Sequence, residues 1–120
     1  MNLENVSIGV DIEEVSRFRN KPDLFLEKIF TKQERVYCGN KPFPEQHYAA
    51  RFCAKEAFLK ALSGLYQQET LLLLNQIEVY NDTQGRPSIR CEKRAHISCQ
   101  VSLSHDQTKA IAFVIMSRDS

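Results

Sequence analysis

Asp11, Glu56 and Lys60 are the residues of this sequence whose types suit metal and phosphate chemistry. Carboxylate oxygens are hard ligands, and Mg²⁺ in proteins takes one or two of them and completes its octahedron with water and substrate phosphate. Lys60 follows Glu56 by four residues, so on a helix the two share one face, with the ammonium beside any bound phosphate. The residues alone leave an ordinary alternative open, in which both acids are solvated and the Glu56–Lys60 pair contributes about 0.3–0.5 kcal/mol.

The segment that carries Glu56 and Lys60, residues 51–60, has cations where a helix would bury carbon. Lys55 falls inside an apolar arc, and Arg51 projects toward the same stripe. We expect both cations to snorkel at the edge of the stripe, or to reach anionic groups at a subunit boundary. The arc is formed by Phe52, Phe58, Leu59 and Leu62. A third face, which lets another element approach closely, is formed by Ala54, Ala57 and Ala61.

Two further motifs lie at strand ends and turns. Ser102-Leu103-Ser104-His105 puts hydroxyls and an imidazole at the tip of a strand, although a histidine at such a place is often merely exposed to solvent. Gly85-Arg86-Pro87 is foremost a hairpin turn, and its arginine adds a candidate phosphate contact. The four cysteines form no CxxC or Cys/His zinc pattern, which favours reduced, buried thiols in a cytosolic protein over a metal or disulfide role.

The elements that must position these residues follow from the periodicity. Residues 6–12 alternate and predict a strand, with branched residues on one face and Asp11 on the other, behind Gly9. Residues 22–30 repeat apolar side chains at helical spacing. Thr31 and Glu34 form a capping box that opens a short helix ending near residue 39.

A longer helix is predicted to begin at Pro44 and to run to about Leu62, with Gly64 as its C-terminal stop. Short strands follow at residues 77–80, 88–91, 101–104 and 110–115. The predicted fold class is therefore α+β, with one strand, then helices, then an antiparallel meander.

The composition describes an ordinary globular domain. The chain has 120 residues, of which 42% are hydrophobic and 26% are charged, and this length suits a single domain over residues 1–120. A formal net charge of +1 argues against broad electrostatic binding of nucleic acid. The longest leucine run, residues 71–74, is far too short to span a membrane, and the N-terminus lacks the pattern of a signal peptide.

Taken together, the motifs resemble the holo-acyl-carrier-protein synthases, the small phosphopantetheinyl transferases. The order and spacing of the matching blocks agree over nearly the full length, and the Lys-Glu-Ala with a second lysine four residues beyond the glutamate is the most specific of them. The matching blocks are Ile8-Gly9-Val10-Asp11-Ile12, Phe30-Thr31 with Glu34, Arg51-Phe52, Ala54-Lys55-Glu56-Ala57, Lys60-Ala61-Leu62, Gly85-Arg86-Pro87 and Val101-Ser102-Leu103-Ser104-His105.

The resemblance implies a small phosphopantetheinyl transferase fold, an antiparallel sheet with a long central helix. It implies transfer of 4'-phosphopantetheine from coenzyme A, the co-substrate, to a serine of an apo acyl carrier protein, releasing 3',5'-ADP. Asp11 and Glu56 would hold Mg²⁺, Lys60 would contact a phosphate, and Glu56 would orient or deprotonate the serine. The coenzyme A site would comprise Arg51, Lys60, Ser63, Gly64, Gly85, Arg86, Pro87 and His105.

The resemblance also implies partners. Small members of the family form homotrimers with sites between subunits, so Asp11, Glu56 and Lys60 would come from one chain and Arg51, Arg86 and His105 from its neighbour. An acidic carrier protein, of fatty-acid or polyketide synthesis, would meet Arg17 and Lys28, with Arg19 and Lys21 as weaker candidates. Nucleic acid and membrane are not expected partners, and the cytoplasm is the expected compartment.

One departure from the family pattern bears on function. Where the family usually shows Gly-Thr-Gly in a flexible loop, this chain reads Ser63-Gly64-Leu65. Two alternatives to an Mg²⁺-dependent transferase therefore stay open. The first is a family member with lost or reduced transfer that acts as a carrier-binding or oligomeric module, and the second is a generic metal-dependent phosphate hydrolase.

Overall fold

The computed structural model describes residues 3–66 and 72–119. Within these residues the helices are α1 (Asp23–Ile29), α2 (Lys32–Gly39) and α3 (Pro44–Leu65), and the strands are β1 (Val6–Glu14), β2 (Glu78–Asn81), β3 (Pro87–Arg90), β4 (Ile97–His105) and β5 (Lys109–Arg118). Short 3₁₀ helices span Leu3–Asn5, Val15–Phe18, Leu74–Gln76 and Glu92–Arg94. The leucine run begins at Leu71, outside the described residues, and no described helix is long and apolar enough to cross a membrane.

The strands of the described residues form two antiparallel sheets, one with the order β1-β5-β4 and one made of the β2-β3 hairpin. β1 pairs with β5 along its whole length, from Val6 opposite Ser117 to Glu14 opposite Lys109. The α+β class and the long central helix are confirmed, but the predicted single meander is wrong. Alternation marks a strand and its two faces, whereas it does not identify a partner about 100 residues away.

β1 packs against α3 through a close backbone approach at Gly9. Gly9 is buried, and a Cβ atom at this position would overlap the carbonyl oxygen of Ala57 and lie 2.9 Å from the backbone nitrogen of Ala61. The prediction that the alanine face of α3 admits a close neighbour is confirmed at these two residues. Only glycine lets a strand backbone come this near to a helix backbone.

The C-terminal end of α3 differs from the prediction. The helix continues through Gly64 and ends at Leu65, so Gly64 is not the stop. A Cβ atom on Gly64 would overlap the Ser7 hydroxyl of β1, a side-chain atom, whereas one on Gly9 would meet the helix backbone. Arg118 donates a hydrogen bond of 3.0 Å to the Leu65 carbonyl oxygen, which supplies the last turn with a cationic cap.

Lys55 is fully buried, so the prediction that it snorkels at the edge of the apolar stripe is wrong. Its ammonium lies 2.7 Å from Glu34 Oε1 and donates to the carbonyl oxygens of Ile29, Leu74 and Ile77 at 2.6–2.8 Å. These partners belong to this chain, so Lys55 does not reach across a subunit boundary either. A buried ammonium is tolerated here because a carboxylate neutralises it and carbonyl groups satisfy its donors.

Glu34, the partner of Lys55, has two roles at once. The predicted capping box is confirmed, because Thr31 Oγ1 accepts from the Glu34 amide and Glu34 Oε1 accepts from the Thr31 amide at 2.8 Å. Glu34 Oε2 accepts a further hydrogen bond of 2.8 Å from the Val79 amide of β2. The Lys55–Glu34 pair therefore links the ends of α1 and α2 to α3 and to the β2-β3 hairpin.

The face of the β1-β5-β4 sheet that points away from α3 is apolar and open to solvent. We call it the outer sheet face and define it by Ile8, Val10, Ile12, Ile111 and Phe113, whose side chains are 42–61% exposed. Val10 lies opposite Phe113, and Ile12 lies opposite Ile111. The two predicted faces of β1 are present, and the glycine face is the one that packs on α3.

Replacement of Gly9 by alanine should lower the free energy of unfolding by about 2 kcal/mol or more, because the added methyl group meets backbone atoms that cannot move aside. Urea denaturation at matched protein concentration measures the loss. Gly39→Ala is the control, since a Cβ atom at Gly39 has no neighbour within 4 Å. Equal stability of the Gly9→Ala variant and the parent chain would contradict the close packing of β1 on α3.

Candidate functional site

The first part of the candidate site, the acidic group, consists of Asp11, Glu56 and Lys60. β1 brings Asp11 alongside α3, where Glu56 and Lys60 lie one turn apart. The Lys60 ammonium lies 3.2 Å from Asp11 Oδ1 and donates a 2.9 Å hydrogen bond to the Val10 carbonyl oxygen. The structure therefore brings together the three residues that the sequence singles out for metal and phosphate chemistry.

The two carboxylates of the acidic group repel each other electrostatically. Burial raises the pKa of Glu56, and the negative charge of Asp11 raises it further. The positive charges of Lys60 and Arg17 act in the opposite direction without cancelling the shift. A cation between the two carboxylates would relieve this unfavourable interaction.

The donor set of the acidic group fits a hard divalent cation. Asp11 Oδ2 is buried and accepts no hydrogen bond within the described part of the chain, which leaves a carboxylate oxygen free for a ligand. No group of three or more histidine, cysteine, aspartate or glutamate residues gathers at metal-binding distance among the described residues. Two carboxylates suit Mg²⁺, which takes its other ligands from water and substrate, better than a closed structural site.

One acidic residue beside Asp11 was missed by the sequence reasoning, whereas Cys53 is reduced and buried as predicted. Glu13 follows Asp11 by two positions on the same face of β1, and its pKa is raised by burial and by the adjacent Asp11 carboxyl group. Cys53 donates a 3.3 Å hydrogen bond to the Ala110 carbonyl oxygen. Burial, with the charges of Asp11 and Glu13, raises the pKa of Cys53 to about 12, so its thiol stays protonated and is not a nucleophile. The period of two along β1 is the signal that finds Glu13.

The second part of the candidate site, the cationic group, consists of Lys41, His47, Arg51 and His105, with the Tyr37 ring among them. The Arg51 guanidinium lies 4.0 Å and the Lys41 ammonium 4.5 Å from the centre of the Tyr37 ring. The His47 ring lies 5.9 Å from that of Tyr37 and 5.4 Å from that of His105, measured between ring centres. The group thus joins α2, the start of α3 and the end of β4.

Arg51 and His105, both predicted from the sequence, meet in this group, whereas His47 and Tyr37 were missed. Arg51 is only 4% exposed, so the prediction that it snorkels is wrong. His47 precedes Arg51 by four residues, and this helical spacing is the signal that would have found it. Burial lowers the pKa of His47, and the charges of His105, Lys41 and Arg51 lower it further.

The predicted hairpin turn forms beside the cationic group. Gly85 has a φ of 82°, a conformation that favours glycine, and Asp82 Oδ1 accepts from the amides of Gln84 and Arg86 at 2.9 Å. Pro87 pairs with Asn81, whose side chain lowers the pKa of Tyr37. The Arg86 side chain is exposed and is not brought into contact with the cationic group in the described residues.

Ser63 and Gly64, which follow the predicted end of the helix at about Leu62, belong to the last turn of α3. The Ser63 hydroxyl donates a 2.8 Å hydrogen bond to the Lys60 carbonyl oxygen. The segment that matches the family's Gly-Thr-Gly is therefore helical in this chain. Both residues remain near Lys60 through this turn of helix.

The four candidate carrier-binding residues lie on the surface around the first turn after β1. Arg17 is half-exposed, lies 2.7 Å from Glu13 Oε1, and stacks its guanidinium 4.9 Å from the centre of the Phe52 ring. Arg19 and Lys21 follow it at the surface, and Lys28 is exposed in the last turn of α1. Because Arg17 also acts on the pKa of Glu56, this basic surface borders the acidic group.

Comparison with known proteins shows the family of this chain. The model of the 4'-phosphopantetheinyl transferase superfamily matches residues 7–114. A holo-[acyl-carrier-protein] synthase of Geobacter sp. (strain M21) is 40% identical over 123 residues, covering 92% of this chain and 96% of the relative. That of Syntrophus aciditrophicus (strain SB) is 42% identical over 117 residues, covering 89% of both chains.

Solved structures of this kind have the same fold. A holo-(acyl-carrier-protein) synthase from Bacillus anthracis str. Ames in complex with CoA (3',5'-ADP) superposes with a TM-score of 0.78 at 31% identity, over 94% of this chain and 96% of the other. An ACPS-CoA complex from Chronobacterium ammoniagenes gives a TM-score of 0.79 at 26% identity, over 96% and 98%. On this match of sequence, fold and motif, the chain belongs to the 4'-phosphopantetheinyl transferase superfamily.

Proposed function

We propose that this chain transfers 4'-phosphopantetheine from coenzyme A to a serine hydroxyl of an apo acyl carrier protein, giving holo carrier protein and 3',5'-ADP. The single observation that carries the proposal is the acidic group, in which Asp11 and Glu56 face each other with Lys60 held 3.2 Å from Asp11 Oδ1. The relatives named as holo-[acyl-carrier-protein] synthases, at about 40% identity over most of the chain, support the same activity.

Asp11 and Glu56 would hold Mg²⁺ in this proposal, because both are hard carboxylates and Asp11 Oδ2 is free to accept a ligand. A bound Mg²⁺ would neutralise the negative charge of the coenzyme A diphosphate during transfer. Lys60 is 56% exposed and would turn its ammonium toward a phosphate oxygen while remaining beside Asp11. Phosphoryl transfer demands mainly positioning and charge neutralisation, which these three side chains supply.

Glu56 would also serve as the general base. As the serine Oγ–P bond forms and the P–O bond to 3',5'-ADP breaks, the hydroxyl proton must pass to an acceptor. Glu56 would accept this proton because its carboxylate lies beside Asp11 and Lys60, where the proposal places the diphosphate that the serine attacks. His105 belongs to the other group of residues and has no part in this proton transfer.

The cationic group would bind the nucleotide end of coenzyme A, with Arg51 and His105 in the roles that the resemblance implies. Ser63 and Gly64 would lie near the diphosphate, because the Ser63 hydroxyl is hydrogen bonded to the Lys60 carbonyl oxygen. Gly85, Arg86 and Pro87 would contribute the hairpin turn. In a site between two subunits, the cationic group of one chain would act together with the acidic group of the neighbouring chain.

Glu56→Gln should abolish transfer while leaving the fold intact, because the amide neither binds Mg²⁺ nor accepts the serine proton. Apo carrier protein, coenzyme A, Mg²⁺ and the chain are incubated together, and mass spectrometry follows the mass of the carrier and the release of 3',5'-ADP. Glu92→Gln, a change of an exposed acid, is the control and should transfer normally.

Two results would overturn the proposed activity. If the parent chain leaves several acyl carrier proteins unmodified, the alternative of a binding or oligomeric module with lost transfer gains support. If coenzyme A is hydrolysed without any carrier, the phosphate hydrolase is favoured. Transfer by Glu56→Gln at a rate near that of the parent chain would reject the assignment of Glu56.

The basic surface formed by Arg17, Arg19, Lys21 and Lys28 would receive the acidic carrier protein. We expect Arg17→Ala to weaken carrier binding about tenfold or more with little change in the affinity for coenzyme A, because a charged contact to the carrier is lost. Lys93→Ala, an exposed cation on a different element, is the control. Surface plasmon resonance with immobilised carrier and calorimetry with coenzyme A separate the two affinities, and a loss confined to coenzyme A would reject this role.

A homotrimer is the proposed assembly, supported by the outer sheet face, whose apolar side chains are half-exposed in one chain. Sedimentation equilibrium should give three chains per particle. Val10→Lys should produce monomers, because it places a charge among these apolar side chains, whereas Leu24→Lys, on the 73% exposed Leu24 of α1, should leave the trimer intact. Persistence of the trimer in Val10→Lys would show that another surface holds the chains together.

A further inference from the structure

The cationic group gathers positive charge without a counter-ion. No carboxylate of the described residues lies within 4.0 Å of Lys41 or Arg51, whereas Lys55, Lys60 and Arg17 each have one. Arg51 is 4% exposed, and its Nε is buried without a hydrogen-bond partner. A buried guanidinium with an unmet donor is costly, so this group is complete only when an anion binds to it.

His47 lies inside this group, and as a histidine it can change its charge near neutral pH. Its ring is partly buried between the Tyr37 and His105 rings, with Lys41 and Arg51 also acting on it. Among the titratable and charged groups that face the His47 ring, Tyr37 comes from α2 and Lys41 from the segment before α3. Arg51 comes from α3, and His105 comes from β4. Burial and the positive neighbours lower the pKa of His47, so the free chain holds a neutral imidazole.

A bound dianion would shift the pKa of His47 in the opposite direction, upward. Negative charge among the same side chains favours imidazolium, and the newly charged ring would donate a charge-assisted hydrogen bond to the anion. The pKa of His47 is then higher in the complex than in the free chain. The contribution of His47 to the affinity is therefore fully present below the pKa of the free chain and is lost as the pH rises through the pKa of the complex.

The anion is identified by its chemistry. Coenzyme A carries a diphosphate and one phosphomonoester, and in the proposed function the diphosphate belongs to the acidic group with Lys60. A phosphomonoester carries a charge of about −1.5 to −2 at pH 7 and offers three acceptor oxygens, which suits a guanidinium, an ammonium and two imidazoles.

We infer that His47 is a specificity residue for coenzyme A: it takes up a proton when the phosphomonoester binds to the cationic group, so the preference for coenzyme A over 3'-dephospho-coenzyme A declines as the pH rises. The inference rests on the proposed function, because it assigns one end of the same co-substrate. The imidazole, rather than the permanent charge of Arg51, makes the preference depend on pH.

Isothermal titration calorimetry of the full chain with coenzyme A and with 3'-dephospho-coenzyme A, between pH 6.5 and 8.5, tests the inference. This range lies above the second pKa of a phosphomonoester, about 6, so the ligand charge changes little within it. The ratio of the two affinities should fall about three- to tenfold across the range in the parent chain. Repeating the titration in two phosphate-free buffers of different ionisation enthalpy counts the protons taken up.

Two variants isolate His47. His47→Gln removes the titrating group, and His47→Phe keeps a ring to pack between Tyr37 and His105, so at least one should fold normally by circular dichroism. In a folded variant the ratio of the two affinities should fall by only about twofold or less between pH 6.5 and 8.5. Fewer protons should be taken up for each coenzyme A bound. His96→Gln is the control, because His96 bonds the Tyr66 hydroxyl at 2.9 Å outside the cationic group, and it should behave as the parent chain does.

The inference would be overturned if the affinity ratio fell with pH in the folded His47 variants as much as in the parent chain. It would also be overturned if the affinities of the parent chain for the two ligands depended equally on pH. Transfer to carrier protein is measured in parallel by mass spectrometry. If transfer fails while the predicted pH dependence of binding is found, the proposed function fails and the inference stands. If transfer proceeds and the His47 variants keep the decline, only the inference fails.

Discussion

The close backbone contact between Gly9 of β1 and the Ala57–Ala61 turn of α3 is the constraint on which the acidic group depends. Asp11 lies two residues after Gly9 on the same face of β1, and Glu56 precedes Ala57. Any side chain at position 9 would push the strand away from the helix, separating the two carboxylates and removing the Val10 carbonyl oxygen from the Lys60 ammonium. Gly64, one turn beyond Lys60, lies against the Ser7 side chain of the same strand. Gly9 therefore supplies the backbone constraint that holds the strand against the helix beside these residues.

The Lys55–Glu34 pair fixes α3 from the opposite side. Its desolvation is expensive, and loss of one partner from such a pair typically costs about 3–5 kcal/mol, because the other charge is left buried. In return, one ammonium orders three carbonyl groups from two separate segments, the end of α1 and residues 74–77, and one carboxylate caps α2 and accepts from β2. Lys55 is adjacent to Glu56 in sequence, so whatever anchors Lys55 also limits the rotation of α3 that would carry Glu56 away from Asp11. The Lys-Glu dipeptide thus combines an internal anchor with a partly buried acid of the proposed site.

Local signals predicted the local structure, while contacts distant in sequence escaped them. The capping box at Thr31, the proline start of α3 and the hairpin at Gly85 depend on neighbours within a few residues, and all three are present. The pairing of β1 with β5, the burial of Lys55 against Glu34 and the meeting of His47 with His105 depend on partners 21 to about 100 residues away. For Asp11 and Glu56 the motif supplied the pairing that periodicity could not. Lys55 was misplaced because an apolar arc with one cation suggests snorkelling unless a buried partner is known.

The distribution of charge around α3 keeps the two proposed binding groups apart on one helix. Arg51 and Lys55, four residues apart, lie about 40° from each other around the axis, and each stacks against an aromatic ring, Tyr37 and Phe30. Glu56 lies about 100° further round from Lys55, on the side that β1 occupies. If Arg51 paired with Glu56, the carboxylate would lose its raised pKa and the guanidinium would lose its capacity for an anion. Because Lys55 is neutralised internally by Glu34, it disturbs neither side. Separation of the acidic and cationic groups, rather than net charge, therefore keeps both of them able to bind.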